Sequence, residues 1–287
     1  MSAVILRRRK LGRGSALGIA NVSTTGIRQV RNWKEQLPAD TSIVFRWGCT
    51  SNVGTEGIGH QVDVVNTAAS IHWCSDKRQG RLDMQEAGVP VPKTWGDFAS
   101  FTSDNVPAGI YVVRPVRHAQ GRNLWVLPPA AAAGQLASIG EGYISELIDK
   151  VAEYRVFVCQ NRVVWVAKKT PGNPDDVAWN VARGGRFDNV RWDEWPIKVV
   201  VAALAAAKVS DTDFSGVDVM VDAEGNPYVL EVNSAPSQTS EYRQRCVAKA
   251  FDYIVTNGKA HFPDVELTPR RTYKSYIHPA LWSKSDA

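Results

Sequence analysis

The sequence predicts an α/β protein, and three stretches carry this prediction. Residues 1–75 alternate short apolar strands with a Gly-rich loop and a helix, which is the pattern of a small α/β unit. Residues 216–236 contain two short strand patterns around a turn-forming Glu-Gly-Asn-Pro cluster, which indicates a β-hairpin. Residues 197–208 are apolar nearly all round, so we expect a helix that is buried against a sheet.

The composition is that of a globular protein. With 287 residues, of which 44% are hydrophobic, the chain is long enough for two or three subdomains. Its longest apolar run, residues 199–207, is too short to cross a membrane. The basic cluster at 7–10 follows a very short apolar start, which is the reverse of a secretory signal, and we therefore expect a cytoplasmic protein.

Charge and cysteine usage narrow the classes of ligand. The net charge of +5 fits an anionic ligand, a nucleic acid or simply a basic surface. The ten tryptophans are scattered and form no aromatic–basic repeat, so nucleic acid is not indicated. The cysteines lie far apart and form no C-x-x-C pair, which favours reduced thiols over a disulfide framework or a zinc site: Cys49, Cys74, Cys159 and Cys246.

The first α/β unit is predicted in some detail. We expect strands at 2–6 and 42–47, a Gly-rich loop at 12–18 and a helix at 26–36. The loop lacks the Lys-Ser/Thr of a Walker motif, so it is only a weak indication of phosphate binding. The second strand ends in a loop of small polar residues, where ligands gather in open α/β sheets, and its Arg46 fits a substrate anion and a structural ion pair equally well.

One face of the predicted hairpin carries oxygen ligands. Glu231 and Asn233 are two apart in a strand and share a face, and a four-residue loop at 223–226 places Asp218 directly opposite Glu231. Two carboxylates and an amide oxygen suit a hard cation such as Mg²⁺, held together with the phosphates of a nucleotide. From the spacing alone, the alternative is an ordinary surface hairpin whose polar face meets water.

This hairpin resembles a known metal site. Its sequence, Gly-Val-Asp-Val, a turn, then Val-Leu-Glu-Val-Asn-Ser-Ala-Pro, is similar to the metal-binding end of ATP-grasp enzymes, especially ligases of the RimK type. The resemblance implies that Asp218, Glu231 and Asn233 hold Mg²⁺ ions on ATP, with Mn²⁺ as an alternative metal. Further matches in the same order extend it over roughly residues 43–240.

The segment that opens the ATP-grasp fold is matched by residues 75–94. The residues 75–88 are predicted as a helix with Asp76 near its N-terminus, and Val-Pro-Val-Pro-Lys-Thr follows in extended form. The resemblance implies that Lys77 approaches the nucleotide phosphates. Without it, Lys77 is a solvated cation on a helix face.

The next matching strand differs from the common family pattern at one position. Where the family has a lysine, this chain has Arg114, which keeps the positive charge and adds a planar fork of donors. We therefore expect Arg114 to contact the nucleotide phosphates. The loop that follows resembles the lid over the triphosphate and implies nucleotide contacts from Gln120 and Gly121, beside His118 and Arg122.

A strand at 143–148 resembles the hinge between lid and core. There the resemblance implies that the backbone of Leu147 and Ile148 faces the adenine edge. An acid, either Glu146 or Glu153, takes the ribose or the base, and the sequence does not decide between them.

A second hairpin is predicted at 153–168, with Gln-Asn at its turn. It resembles the family segment Asp-x-Arg-Val-Phe-Val, a turn, then Val-Val-x-Ala-x-Arg. It implies that Arg155 and Lys168 face phosphates or the reacting acyl group. Asn180 and Arg183 lie in a stretch similar to the family's Asn-x-x-x-Gly-Gly and are candidates for the acceptor side of the site.

The resemblance implies an α+β ATP-grasp architecture. A small N-terminal α/β domain at 1–75 precedes two ATP-grasp subdomains that clasp the nucleotide, a lid at 76–145 and a core with the metal hairpin at 146–260. Residues 261–287 form a C-terminal tail to which we assign no role.

The implied activity is that of an ADP-forming ligase. ATP phosphorylates a carboxylate to an acyl phosphate, and an amine or thiol then displaces the phosphate. The expected substrates are small molecules or peptides that carry the carboxylate and the amine, and a homo-oligomer is left open. Two alternatives are an ATP-grasp kinase that phosphorylates a hydroxyl and a non-catalytic relative that regulates a partner through nucleotide binding.

Overall fold

The computed structural model describes residues 2–8, 12–31, 36–51, 58–104, 106–116, 123–173, 176–179, 184–259, 262 and 275–281. These residues form three β-sheets with helices packed against them, which confirms the predicted α/β class. The helices are α1 (Arg13–Val22), α2 (Ala68–Ser75), α3 (Lys77–Glu86), α4 (Phe98–Ser103), α5 (Pro129–Ile139), α6 (Ile197–Val209) and α7 (Glu241–Asn257).

The first sheet is parallel and has the order β2-β1-β3-β4. Its strands are β1 (Ser2–Arg7), β2 (Arg28–Arg31), β3 (Thr41–Trp47) and β4 (Asp63–Val65). The predicted strands at 2–6 and 42–47 are confirmed as β1 and β3. The sheet also carries β2, where the sequence predicted a helix.

Two predictions in this unit are wrong, and packing explains both. The predicted helix at 26–36 is in part strand β2, because Val30 is buried when it pairs beside Leu6 of β1. The predicted Gly-rich loop belongs to helix α1 from Arg13 onward. Gly18 allows α1 to approach α7, since a Cβ at this position would lie within 2.4 Å of the Gln244 side chain. Gly18 therefore serves helix packing, and residues 13–18 belong to a helix rather than to a loop.

The second sheet is antiparallel and has the order β5-β8-β6-β7. Its strands are β5 (Thr94–Trp95), β6 (Tyr111–Pro115), β7 (Trp125–Leu127) and β8 (Gly142–Glu146). Helices α4 and α5 contribute to a separate small core in which the rings of Trp95, Phe101 and Tyr111 meet edge to face. This sheet supplies one wall of the site described below.

The third sheet is antiparallel and has the order β11-β10-β9-β12-β13. Its strands are β9 (Lys150–Cys159), β10 (Arg162–Thr170), β11 (Arg186–Val190), β12 (Phe214–Asp222) and β13 (Pro227–Asn233). We call the β12–β13 pair the metal hairpin and the β9–β10 pair the Arg hairpin. Gln160 and Asn161 have positive φ angles of 47° and 58°, as a two-residue turn between antiparallel strands requires.

The first and third sheets share one hydrophobic core. Helix α6 is buried against the third sheet, as its apolar sequence predicts. Helix α7 packs between the two sheets, and its Phe251 stacks on Phe45 of β3 with ring centroids 4.1 Å apart. The strands of the three sheets lie within residues 2–65, 94–146 and 150–233, and the domain bounds 1–75, 76–145 and 146–260 stay a prediction.

A short C-terminal stretch, residues 275–281, packs against strand β10 of the third sheet. Ile277 forms a parallel bridge with Val163, and the His278 N–H donates to the Val163 carbonyl at 2.8 Å. The His278 side chain is fully buried. Within the described ranges, no helix has both the length and the apolar character to span a membrane.

Candidate active site

A cleft of about 1230 Å³ runs between the second and third sheets. It is bounded by the lid-side strands β6 and β8, the connection that follows β8, and the metal and Arg hairpins. The residues predicted from the sequence that line it are Lys77, Arg114, Glu146, Leu147, Ile148, Glu153, Arg155, Asp218 and Glu231. Asn233 joins this group through its hydrogen bond to Glu231.

The metal hairpin pairs Asp218 with Glu231, as the sequence predicts. The route to this register is different from the expected one. Val221 pairs with Pro227, so the loop is one residue longer than the predicted four residues, and a bulge at Leu230 then restores the pairing of Asp218 with Glu231. The Leu230 carbonyl accepts a hydrogen bond from Nε of the buried Arg81 at 3.1 Å. Helix α3 therefore supports the bulge that sets the register of the site.

Asp218 is neutralised by a bidentate ion pair. Its two carboxylate oxygens accept from Nε and a terminal nitrogen of Arg155 at 2.6 and 2.7 Å. Burial favours the neutral form of Arg155, but the carboxylate of Asp218 outweighs it and raises the pKa of Arg155 above its ordinary value. Arg155 is therefore charged in the folded protein.

Glu231 is held in its charged form by Lys77. Burial opposes its ionisation, yet the Lys77 ammonium, which contacts it directly, and the amide of Asn233, which donates at 2.9 Å, hold the pKa of Glu231 well below its ordinary value. Lys77 is the first residue of α3, and the Asp76 side chain caps this helix by accepting from the Gln79 N–H. The predicted N-cap therefore aims Lys77 at the metal hairpin.

The donor set fits a nucleotide-bound Mg²⁺ better than a free ion. Asp218 and Glu231 face each other across the strand pair, and each carboxylate retains lone pairs beyond those its cation uses. The described residues contain no cluster of three acidic, histidine or cysteine side chains able to hold a metal alone. Hard cations with few protein carboxylates complete their shell with phosphate oxygens and waters. We therefore expect the metal to enter with ATP.

Glu153 is the centre of a second charged cluster, and here one prediction needs correction. Its carboxylate accepts from Lys150 at 2.6 Å and also contacts Lys169. Burial, the largest effect, lowers the pKa of Lys150 against the attraction of Glu153. Lys169 is buried and lies 3.8 Å from Asp218. The predicted site residue Lys168 is exposed on the opposite face of β10.

A β-bulge explains why the adjacent lysine occupies the site. A regular hairpin that turns at Gln160 and Asn161 places Lys168 opposite Glu153. The Arg hairpin has a bulge at Val164, and this extra residue moves Lys169 into that position. Since side chains alternate along a strand, a shift of one residue exchanges the buried lysine for the exposed one.

The hinge backbone lines the cleft, but part of it is already hydrogen-bonded. The Leu147 N–H donates to the Ile110 carbonyl at 3.1 Å, and the Glu146 N–H donates to the Lys93 carbonyl at 3.0 Å. The Leu147 N–H is thus not available to the adenine edge, contrary to the expectation for this residue. The Leu147 carbonyl and the Ile148 backbone are the hinge groups that we propose for the base.

Arg114 projects from β6 into the lid side of the cleft, where it is half-buried. Four of the predicted site residues lie outside the described residues: Gln120 and Gly121 of the lid loop, and Asn180 and Arg183 of the acceptor segment. The same holds for His118 and Arg122. Their roles stay predictions.

Several residues of the cleft were missed by sequence reasoning. Arg81 lies one helical turn after Lys77, and the (i, i+4) spacing that puts both on one face of α3 was a usable signal. Phe187 and Arg243 carried no such signal, because strand β11 and helix α7 meet at the cleft only through tertiary packing.

Comparisons with known proteins show what this chain is similar to. Residues 131–253 match the sequence model of the RimK-like ATP-grasp domain. A probable alpha-L-glutamate ligase of Aeromonas salmonicida is 26% identical over 222 residues, which cover 70% of this chain and 71% of that protein. A D-alanine–D-alanine ligase of Paraburkholderia phytofirmans is 26% identical over 181 residues, 57% of this chain and 58% of that protein.

Solved structures match over most of the chain. The ATP-grasp ligase PsnB, complexed with a phosphomimetic variant of its minimal precursor, Mg and ADP, has a TM-score of 0.63 at 14% identity and covers 90% of this chain and 98% of its own. D-alanine–D-alanine ligase from Bacillus anthracis has a TM-score of 0.61 at 16% identity, with 90% and 97% covered. At these identities the likeness concerns the fold. Residues 131–253 are therefore similar to a RimK-like ATP-grasp domain, and the fold of most of the chain is similar to that of ATP-grasp ligases.

Proposed function

We propose that this protein is an ATP-dependent ligase that joins a carboxylate to an amine or a thiol and releases ADP. The observation that carries the proposal is the pairing of Asp218 with Glu231 at the floor of a cleft that also holds Lys77, Arg155 and Lys169. Relatives named as glutamate and D-alanine–D-alanine ligases support the reaction class.

Nucleotide binding is assigned to one end of the cleft. The Leu147 carbonyl and the Ile148 backbone meet the adenine edge, and Glu146 is the acid available for the ribose or the base. Glu153 is a poorer choice for that role, because two lysines already share its carboxylate. Lys77 and Arg114 approach the phosphates from α3 and β6.

Magnesium binding falls to the metal hairpin. Asp218 and Glu231, with the Asn233 amide oxygen, would hold Mg²⁺ on the nucleotide, where the ion would neutralise charge on the phosphates. With Glu231 in this role, the Lys77 ammonium that contacts it in this structure would lie beside the nucleotide phosphates. The ion pairs orient both carboxylates before the nucleotide arrives, and Lys77 keeps Glu231 charged.

The chemistry then takes place beside Arg155 and Lys169. The substrate carboxylate attacks the γ-phosphorus of ATP, the bond to the β-phosphate oxygen breaks, and the products are an acyl phosphate and ADP. The amine next attacks the acyl carbon, and inorganic phosphate leaves as the amide bond forms. Arg155 and Lys169 are placed to stabilise the charge that develops on the transferred phosphoryl group.

The proposal is tested by product analysis with Mg²⁺ and ATP. A panel of carboxylates and amines is screened for ADP release, and products are identified by mass. With an ¹⁸O-labelled carboxylate, an acyl-phosphate route places one ¹⁸O atom in the released phosphate, and hydroxylamine traps the intermediate as a hydroxamate. A phosphorylated alcohol would identify a kinase instead. Tight nucleotide binding with no turnover on any pair would identify a non-catalytic relative.

A further inference from the structure

One aromatic ring at the edge of the third sheet lies among three cations of the cleft. Phe187 is on strand β11, is half-buried and lines the cleft. Its ring centroid is 4.8 Å from the Arg155 guanidinium, 5.4 Å from the Lys169 ammonium and 5.7 Å from the Arg243 guanidinium. A cation that lies over a ring within about 6 Å of its centroid is attracted by the negative potential of the ring face. Each of the three is therefore drawn toward the same ring.

The strand register explains how this ring reaches the site. Phe187 is paired with Lys169 of β10, and Lys169 is paired with Glu153 of β9. Arg155 lies two residues after Glu153 on β9 and therefore shares its face of the sheet. Its neighbour on β10 is Ala167, whose small side chain leaves room for the Arg155 side chain to reach Phe187. Register and side-chain size thus bring Phe187 to the ion pairs of the site.

The third cation, Arg243, comes from the first turn of α7 and is buried. Its Nε donates to the Ser240 hydroxyl at 2.8 Å, and its guanidinium lies 5.4 Å from the ring centroid of Trp165 in the hydrophobic core. Within the described part of the chain, no carboxylate forms an ion pair with it. A buried guanidinium is destabilising unless acceptors or aromatic faces compensate for its lost hydration. Phe187 supplies such a face on the cleft side of Arg243.

The three cations repel one another. Their distances to one centroid place any two of them within about 11 Å, which is close to the Debye length in ordinary salt, and burial weakens the screening further. The effect is visible at Arg243, where burial is the largest cause that lowers the pKa and the charge of Arg155 is the next. Without an attraction to offset it, this repulsion would drive the side chains apart.

A neutral ring offsets the repulsion without adding negative charge. Asp218 and Glu153 already pair with Arg155 and Lys169, and a further carboxylate at this wall would repel the phosphates of a nucleotide. An aromatic face attracts the cations through its quadrupole and leaves their charge available to a ligand. The chemistry of the wall therefore favours a ring at position 187 for organising the cations.

We propose that Phe187 is a positioning residue whose ring holds these three cations in place beside the reacting phosphoryl group. This inference rests on the proposed ligase activity and adds the group that orders its cations. The ring acts through Arg155 and Lys169, which are placed to stabilise the charge that develops on that phosphoryl group. Misplaced cations stabilise the transition state less, so loss of the ring's attraction should lower kcat more than it raises the KM for ATP.

The test changes the electrostatics of the ring and keeps its shape. Phe187 is replaced by 4-fluoro-, 3,5-difluoro- and 3,4,5-trifluorophenylalanine, which weaken the negative potential of the ring face in steps. We expect kcat for ADP release at saturating Mg·ATP to decrease with each added fluorine, by about tenfold or more in the trifluoro form, while the KM for ATP changes by about twofold or less. Phe187→Leu should lose as much as the trifluoro form. The same analogues at Phe98, which is exposed at the start of α4, are the control and should leave kcat at the parental value.

Three results overturn the proposal. They are an unchanged kcat across the fluorinated series, a loss of kcat in Phe187→Leu alone, which would assign the ring to packing only, and an equal decrease from the analogues at Phe98. Because the fluorinated side chains keep nearly the shape of phenylalanine, the series decides even if Phe187→Leu fails to fold by circular dichroism.

If no pair of substrates gives ADP release, the ligase proposal fails, and the role of Phe187 is judged from stability. Phe187→Leu, Arg243→Met and the double variant are unfolded in urea. We expect the effects of the two substitutions on the unfolding equilibrium constant to deviate from additivity by about two- to thirtyfold. Additive effects would show that the ring and the cation do not interact and would refute the positioning role.

Discussion

The two adjacent lysines of β10 offer a sharp test of the site geometry, with Lys169→Met as the perturbation and Lys168→Met as its matched control. Lys169 is buried against Glu153 and lies 3.8 Å from Asp218, whereas Lys168 is exposed. Both substitutions remove one positive charge from the same strand. Only the first removes it from the cleft.

The structure sets the expected size of the effect. Removing one member of a buried ion pair costs about 3 to 5 kcal/mol when the remaining charge is left alone. Glu153 keeps Lys150 at 2.6 Å, so we expect a smaller cost for Lys169→Met, about 1 to 3 kcal/mol. For a chain of this size that lowers the melting temperature by roughly 2 to 10 °C. Lys168→Met should stay within about 0.5 kcal/mol of the parent.

The Lys169→Met and Lys168→Met variants should differ more in turnover than in stability. Loss of a donor that stabilises developing charge typically lowers kcat on the order of a hundredfold, and we expect this for Lys169→Met in an ADP-release assay at saturating Mg·ATP. Lys168→Met should retain parental turnover. Equal losses in the two variants, or full activity in Lys169→Met, would refute the register of the Arg hairpin as the reason for the site's composition.

Three further predictions concern the metal, the phosphates and the back of the core. Asp218→Asn or Glu231→Gln should abolish Mg²⁺-dependent turnover with the fold retained by circular dichroism, while Asp222→Asn at the half-buried turn end of the same hairpin should not. Arg114→Lys should weaken ATP use despite restoring the common family residue, and Arg114→Ala should weaken it further, by about ten- to a hundredfold in nucleotide affinity or turnover; parental values for Arg114→Ala would remove it from the phosphate site. Burial lowers the pKa of His278 to about 3 from an ordinary 6.5, so the unfolded chain takes up a proton that the folded chain does not. The contribution of neutral His278 to the free energy of unfolding, measured in urea, should be fully retained above about pH 6.5. Below that pH it should decrease by up to about 1.4 kcal/mol per pH unit. A His278→Gln variant whose free energy of unfolding has the same dependence on pH between 7 and 5 as the parent would contradict this.

The hydrogen bonds of His278 agree with a neutral ring. Its Nδ1 accepts from the Ala280 N–H at 3.2 Å, which leaves Nε2 to carry the proton and donate to the Gln160 side-chain oxygen at 3.3 Å. A second proton on the ring would face the Ala280 N–H and break that bond. The nearby Arg162 adds a repulsion that also disfavours the charged ring.

Sequence reasoning succeeded where local pattern and burial coincide. Helix α3 begins at the predicted cap, Asp76, and α6 is buried as its apolar composition requires. It failed where tertiary contacts override local preference. Strand β2 has no strong strand pattern and is formed by pairing with β1, and Gly18 of α1 is explained by the approach of α7, which lies more than 200 residues away along the chain.

Two β-bulges decide which side chains face the site, and no residue pattern in the sequence predicts either bulge. In the metal hairpin, a loop one residue longer than expected shifts the pairing, and the bulge at Leu230 shifts it back, so Asp218 meets Glu231 for a reason other than the one predicted. In the Arg hairpin the turn is as predicted, but the bulge at Val164 has no compensating change, so Lys169 replaces Lys168. Successive side chains of a strand point to opposite faces of the sheet. A shift of one residue therefore moves every side chain beyond it to the other face and changes which residues line the site.

The bulge in the metal hairpin is supported by another segment of the chain. The bulge at Leu230 is held from outside the sheet, by the Arg81 Nε at the Leu230 carbonyl and by the Val229 N–H at the Pro90 carbonyl at 2.7 Å. Both contacts come from the segment that begins with Lys77, the cation on Glu231. Helix α3 and its Pro-rich exit thus fix the register of the metal hairpin and supply the charge that balances it. We therefore expect that a substitution which breaks the contacts between helix α3 and the metal hairpin would alter the pairing of Asp218 with Glu231.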